Sequence, residues 1–225
     1  MLENPGFDSE TNAPDSNGLS RRTLLTLGAL AGAALVLPSL PASAAVAYGD
    51  AQSMRFLEEI ARIEADFFNR AALSAPADGL SERELNSFSL ISRQDAELVR
   101  WFKGARRRSG LSAYSSFYTP NQSSSRPMPS YRFGADAFSN RNGLFSMAIS
   151  LKETAVGAFH GVVGSAHSPE LIQAFAALAG VQGRQLAVLR ELAGRDPLVA
   201  YETSLSRNAV INNLEVYGFN REVLG

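Results

Sequence analysis

The chain has 225 residues, 45% of them hydrophobic, with 21 basic and 22 acidic side chains and a net charge of −1. That length suits one globular domain, and a near-neutral balance gives no reason to expect nucleic acid as a partner. There is no cysteine, which excludes disulfides, thiolate metal ligands and a cysteine nucleophile.

Residues 1–19 are polar, contain Pro, Gly, Asn and Asp, and read as unstructured. Ser20-Arg21-Arg22-Thr23-Leu24-Leu25 follows, then an Ala-, Gly- and Leu-rich run to Leu37, broken by Pro38 and Pro41. Ala42-Ser43-Ala44 and Ala45-Val46-Ala47 are both small-x-small cleavage sites. A charged region, an apolar region and a processing site stand in the order of a signal peptide. The Arg21-Arg22 pair before a diluted apolar run resembles a twin-arginine export signal. The alternatives are an ordinary secretory signal and an uncleaved anchor. The expectation is a signal peptide and disordered N-terminus over 1–44, passage through the twin-arginine machinery, and a periplasmic or extracellular destination. Membrane contact is then transient, because no other stretch reaches the ~18 apolar residues of a span.

The mature chain opens with a predicted helix from about Asp50 to Leu73. Leu57, Ile60, Ala61, Phe67, Phe68 and Ala71 make its apolar face, and Glu64 sits in the middle of it. Glu58, Glu59 and Asp66 fall off that face and read as solvated charges. Ala75-Pro76-Ala77-Asp78-Gly79 is a turn. Ser81 and Glu84 have the spacing of a capping box and start a second helix that runs to about Arg108. Its inner face is Leu85, Phe88, Ile91, Leu98 and Phe102, interrupted by Asp95, while Glu97 faces water. Arg106, Arg107 and Arg108 complement the dipole at its end.

Residues 109–141 are a long connection flanked by Tyr114, Phe117, Tyr118, Tyr131, Phe133 and Phe138. The aromatics favour a crossover pinned along a bundle and joining parallel helices, rather than a lid. A third helix is expected from about Asn142 to Gly164. Phe145, Ala148, Ile149, Ala155, Val156, Phe159 and Val163 cover much of its circumference, and spacing sets Glu153 in that stripe. His160 lies two turns on, about 10.5 Å away, too far for the two to share an ion through bonds of about 2 Å. It reads as a core or rim histidine. His167 lies in the following turn.

Ser168 and Pro169 open the fourth helix as N-cap and first residue. Leu171, Phe175, Leu178, Leu189 and Leu192 mark one buried face. Gln182 and Gln185 interrupt it, and two buried amides require hydrogen-bond partners. Ala193-Gly194-Arg195-Asp196-Pro197 stops the helix. A short amphipathic helix is expected between Ser204 and Tyr217, within a C-terminal extension over 196–225.

Four helices, a long middle connection and one polar interruption per inner face resemble an all-α, ferritin-like four-helix bundle over residues 48–195. In that architecture two helices each give a Glu and two give Glu-x-x-His, all directed at a pair of metal ions. The order Glu64, Asp95-x-x-Leu98, Glu153, Gln182-x-x-Gln185 follows that pattern position by position. Leu151-Lys152-Glu153-Thr154-Ala155-Val156-Gly157-Ala158-Phe159 and Val181-Gln182-Gly183-Arg184-Gln185-Leu186-Ala187-Val188-Leu189-Arg190 are similar to the third and fourth helices of exported ferritin-like proteins related to plant desiccation-associated proteins. The resemblance extends over about Met54 to Leu192.

The departures bear on function. Leu98 has no donor atom where that family has histidine, Gln185 stands at the other histidine, and Gln182 stands at a carboxylate. Asp95 keeps its charge on a shorter arm. Three carboxylates and no imidazole are a poor set for two divalent ions. The expected assignment is therefore six former metal-site positions, Glu64, Asp95, Leu98, Glu153, Gln182 and Gln185, with no catalytic residue, no metal and no cofactor. The glutamines would serve the carboxylates as hydrogen-bond donors; the alternative is a wet core with the amides turned aside. The implied function is a bundle without di-metal catalysis, in a structural, stress-related or partner-binding role, with homo- or hetero-oligomers open to it. The alternative is a di-iron or manganese oxidase or iron-handling protein that binds metal weakly at a depleted or relocated site. A mononuclear site near Glu64 and Glu153 is a third reading.

Overall fold

The computed structural model describes residues 48–73, 79–108, 131–198 and 203–219. The expected export signal with Arg21 and Arg22, and the segment carrying Tyr114, Phe117 and Tyr118, lie outside them. The described residues form five α-helices and no strand: α1 (Tyr48–Leu73), α2 (Glu82–Arg108), α3 (Arg141–Val163), α4 (Pro169–Leu192) and α5 (Arg207–Glu215), with a 3-10 turn at Ala135–Ala137.

Local chemistry fixes most of the helix starts. At α2 the capping box forms as its spacing predicts: the Ser81 backbone N–H and hydroxyl both donate to Glu84 Oε2, at 2.7 and 2.9 Å. Asn140 caps α3 by accepting from the Gly143 N–H at 2.8 Å. Ser168 precedes Pro169 at the start of α4 as expected, but makes no side-chain cap bond. The cap comes from another helix. Asp50, fully buried near the start of α1, accepts from the N–H groups of His167 and Ser168 at 2.9 and 2.8 Å.

Contacts between helix ends give the topology. Glu58 of α1 pairs with Arg106 at the far end of α2, so these two are antiparallel. Arg141, at the start of α3, donates to Glu84 at the start of α2 and to the Leu192 carbonyl at the end of α4. Helices α2 and α3 are therefore parallel, and the connection between them is a crossover, as the sequence predicts. Its described end is pinned on the bundle. Tyr131 donates to Glu59 at 2.6 Å, and the Phe133 and Phe138 rings lie 5.1 and 5.3 Å from that of Phe67.

The core is one continuous apolar cluster that includes Phe67, Phe68, Phe88, Phe102, Phe145, Phe159 and Phe175. Glu58 departs from the sequence reading. It is 2% exposed and pairs with both Arg62 and Arg106. Arg106 is thus a cross-helix partner as well as a terminal charge. Helical spacing placed Glu58 off the stripe because it counted only the face toward the core and not the seam with α2.

Residues 203–206 lie along α3 as a strap. The Leu205 N–H donates to the Gly157 carbonyl at 2.9 Å. A Cβ on Gly157 would meet Leu205 Cγ at 2.5 Å, and one on Gly161 would meet the Leu205 carbonyl oxygen at 2.2 Å. Only glycine leaves room for backbone this close. Beyond the strap, Val210, Ile211 and Leu214 bury one side of α5.

Candidate functional site

The centre of the bundle holds an ammonium group. Lys152 on α3 is fully buried. Its Nζ donates to Asp95 Oδ1 and Oδ2 at 2.9 and 3.0 Å and to Gln182 Oε1 at 2.7 Å. Glu64 Oε1 lies 2.9 Å from the same nitrogen. The two form a buried ion pair when both are charged. The Phe68 ring closes another side, its centroid 4.9 Å from Nζ, within cation–π range.

Each helix places its member by the pattern that buries its apolar face. Glu64 lies three before Phe67 and four before Phe68, Asp95 lies four after Ile91, and Gln182 lies four after Leu178; all are within 1% of full burial. Gln182 uses both ends of its amide: Oε1 accepts from Lys152, and Nε2 donates to Glu64 Oε2 at 3.0 Å. Gln185, one turn on, donates from Nε2 to Gln94 Oε1 at 2.9 Å. Leu98 is buried and adds only packing. The expected role of the glutamines, donors to carboxylates in place of metal, is met by Gln182, which donates to Glu64, whereas Gln185 donates to the Gln94 amide oxygen instead.

One expected member does not join them. Glu153 points outward, 47% exposed, and accepts from Arg190 at 2.8 Å. A site shared by Glu64 and Glu153 has no geometry here. The two members that sequence reasoning missed are Lys152 and Gln94. The error on α3 is one residue, or 100° of helix rotation. Lys152 lies four after Ala148, three after Ile149 and four before Val156, so it fits the apolar stripe at least as well as Glu153 does. The decisive signal was the opposite face: Ser146, Ser150, Glu153 and His160 are all exposed. Their spacings of four, three and seven draw the solvent side of α3. A lysine is expected to reach water, which hid it as a core candidate.

The layer carries one positive and two negative groups when all are ionised, away from water. Burial pushes the Glu64 carboxyl up to about 8; the Lys152 charge opposes the rise and the Asp95 charge adds to it. Burial likewise raises Asp95, against the pull of Lys152. One retained proton makes the layer neutral.

Against known families, the ferritin-like domain matches residues 49–195. The chain belongs to the ferritin-like domain family. No curated protein and no solved structure matches it.

A ferritin-like bundle implies a pair of metal ions at its centre, and the donor set can be tested for fit. Divalent metals take oxygen at about 2.0–2.6 Å and need anionic or imidazole donors in number. Here four oxygens converge at 2.7–3.0 Å on a nitrogen that is itself a cation. Those are ammonium distances. Among the described residues no three His, Asp or Glu side chains are grouped to hold a metal ion. Lys152 comes from the third helix, where a metal-loaded bundle supplies its lone Glu. These residues do not fit a di-metal centre.

Proposed function

We propose that the protein is an exported ferritin-like bundle that works without di-metal catalysis, in a structural, stress-related or partner-binding role. The observation that carries this reading is the Lys152 ammonium, held among Glu64, Asp95 and Gln182 where metal would be bound. A covalently attached cation and one retained proton together balance the two inner carboxyl groups without any ion from outside. The Arg21-Arg22 signal supports twin-arginine export to the periplasm or beyond. The third- and fourth-helix segments support kinship with exported ferritin-like proteins related to desiccation-associated proteins.

The test is elemental analysis of protein folded in the cell and purified without chelator. Iron and manganese should both be near zero per chain. About two ions per chain would overturn the reading in favour of an oxidase or iron-handling protein.

A further inference from the structure

The polar layer has the make-up of a receptor. Three side chains from three helices direct oxygen at one point: Glu64 from α1, Asp95 from α2 and Gln182 from α4. An aromatic face covers a fourth direction. Carboxylate, amide oxygen and aromatic ring around one nitrogen make a recognition set for an alkylammonium ion. The oxygens are themselves held in place. Gln182 is oriented by its donation to Glu64, and its carbonyl oxygen is thereby left for the cation.

We infer that Glu64, Asp95, Gln182 and Phe68 form a binding site for a primary alkylammonium ion, and that Lys152 is the ligand of that site, carried on a four-carbon tether from α3. Two consequences follow from its geometry. The site requires a cation, because even with a proton retained on Glu64 the Asp95 carboxylate has no other cationic partner among the described residues that touch it. It also requires a small monovalent one, because the oxygens stand at ammonium distance and an alkyl stem fills the approach from α3. This rests on the metal-free reading above but is tested separately: metal in the wild-type protein would end that reading, whereas the variants below are compared with chelator present.

The test is chemical rescue. Lys152→Ala removes the tether and leaves a buried cavity that matches the lost propylammonium in length. The variant should unfold at a lower temperature than wild type. Propylammonium should raise its midpoint by roughly 3–5 °C for each tenfold increase above the dissociation constant. Choline chloride at equal ionic strength and 1-propanol should do neither, the first being too large and the second uncharged. Lys152→Met fills most of that cavity without charge; it should be destabilised and insensitive to amine. If Lys152→Ala does not fold alone, Lys152→Met/Asp95→Asn serves instead. It removes cation and counter-charge together and should be more stable than Lys152→Met. The inference is overturned if Lys152→Met matches wild type in stability, if propylammonium fails to raise the midpoint of a folded Lys152→Ala, if propanol or choline raises it as much as the amine does, or if Asp95→Asn fails to improve Lys152→Met. With chelator omitted, rescue by manganese but not by amine would also overturn it.

Discussion

Replacing Glu64 by Gln should change how stability depends on pH more than it changes stability itself. In the folded protein the Glu64 carboxyl titrates near 8, against an ordinary value of 4.5, because burial outweighs the attraction of Lys152. Between those values the folded state holds a proton that the unfolded chain has released. Stability must then fall as pH rises through the window. The slope is about 1.4 kcal/mol per pH unit at most, so the whole window is worth about 5 kcal/mol from this one group. The loss is complete once pH passes about 8. Glutamine has nearly the shape of the protonated acid and cannot ionise. Lys152, Asp95, Gln182 and Phe68 still surround the position, and Asp95, whose carboxyl burial also raises, adds a slope of the same sign in both proteins. Urea unfolding followed by circular dichroism at pH 5, 6, 7, 8 and 9 reads the difference. Wild type should lose about 4 kcal/mol more than Glu64→Gln between pH 5 and 9. Parallel stability curves for the two proteins would refute the burial argument. A wild-type curve that rises with pH would show that Lys152 outweighs burial and keeps Glu64 ionised.

Three further outcomes are expected. Rebuilding a metal centre requires the tethered cation to go: Leu98→His, Gln182→Glu, Gln185→His and Asp95→Glu should bind almost no manganese while Lys152 remains, and up to two ions per chain once Lys152→Glu is added, as read by elemental analysis. Gly161→Ala should cost about 1–3 kcal/mol in urea unfolding, because its Cβ would fall 2.2 Å from the Leu205 carbonyl oxygen and push the strap off α3. Arg21→Lys with Arg22→Lys should block export in a fractionation assay, and intact mass of the exported wild type should begin near Ala45 or Tyr48.

What was legible in the sequence followed from strong local signals. Ser81 and Glu84 announced the start of α2, and Phe133 and Phe138 announced a pinned crossover, because caps and aromatic anchors act over short range. Glu64, Asp95, Gln182 and Gln185 were legible as inner positions because each interrupts a clear stripe on its own helix. Helix α3 has no such clear stripe. It buries Leu144, Leu151, Thr154, Ala158 and Val162 beside the central row, since the strap and α5 cover part of its outer side. With apolar residues on most sides, spacing alone did not separate position 152 from 153. Glu58 was misread for a related reason: its partner Arg106 is 48 residues away, and no local rule reaches that far.

The strap over Gly157 and Gly161 also supplies a reporter. The Leu205 amide gives its proton to a carbonyl of a helix it is not part of, so its protection from solvent exchange exists only while residues 203–206 are docked. If the strap lifts while the bundle stays closed, this one amide exchanges faster than those in the middle of α3. If the strap and bundle open together, the rates converge on that of global unfolding. One resonance thus distinguishes a C-terminal region that opens by itself from one that is integral to the cooperative unit.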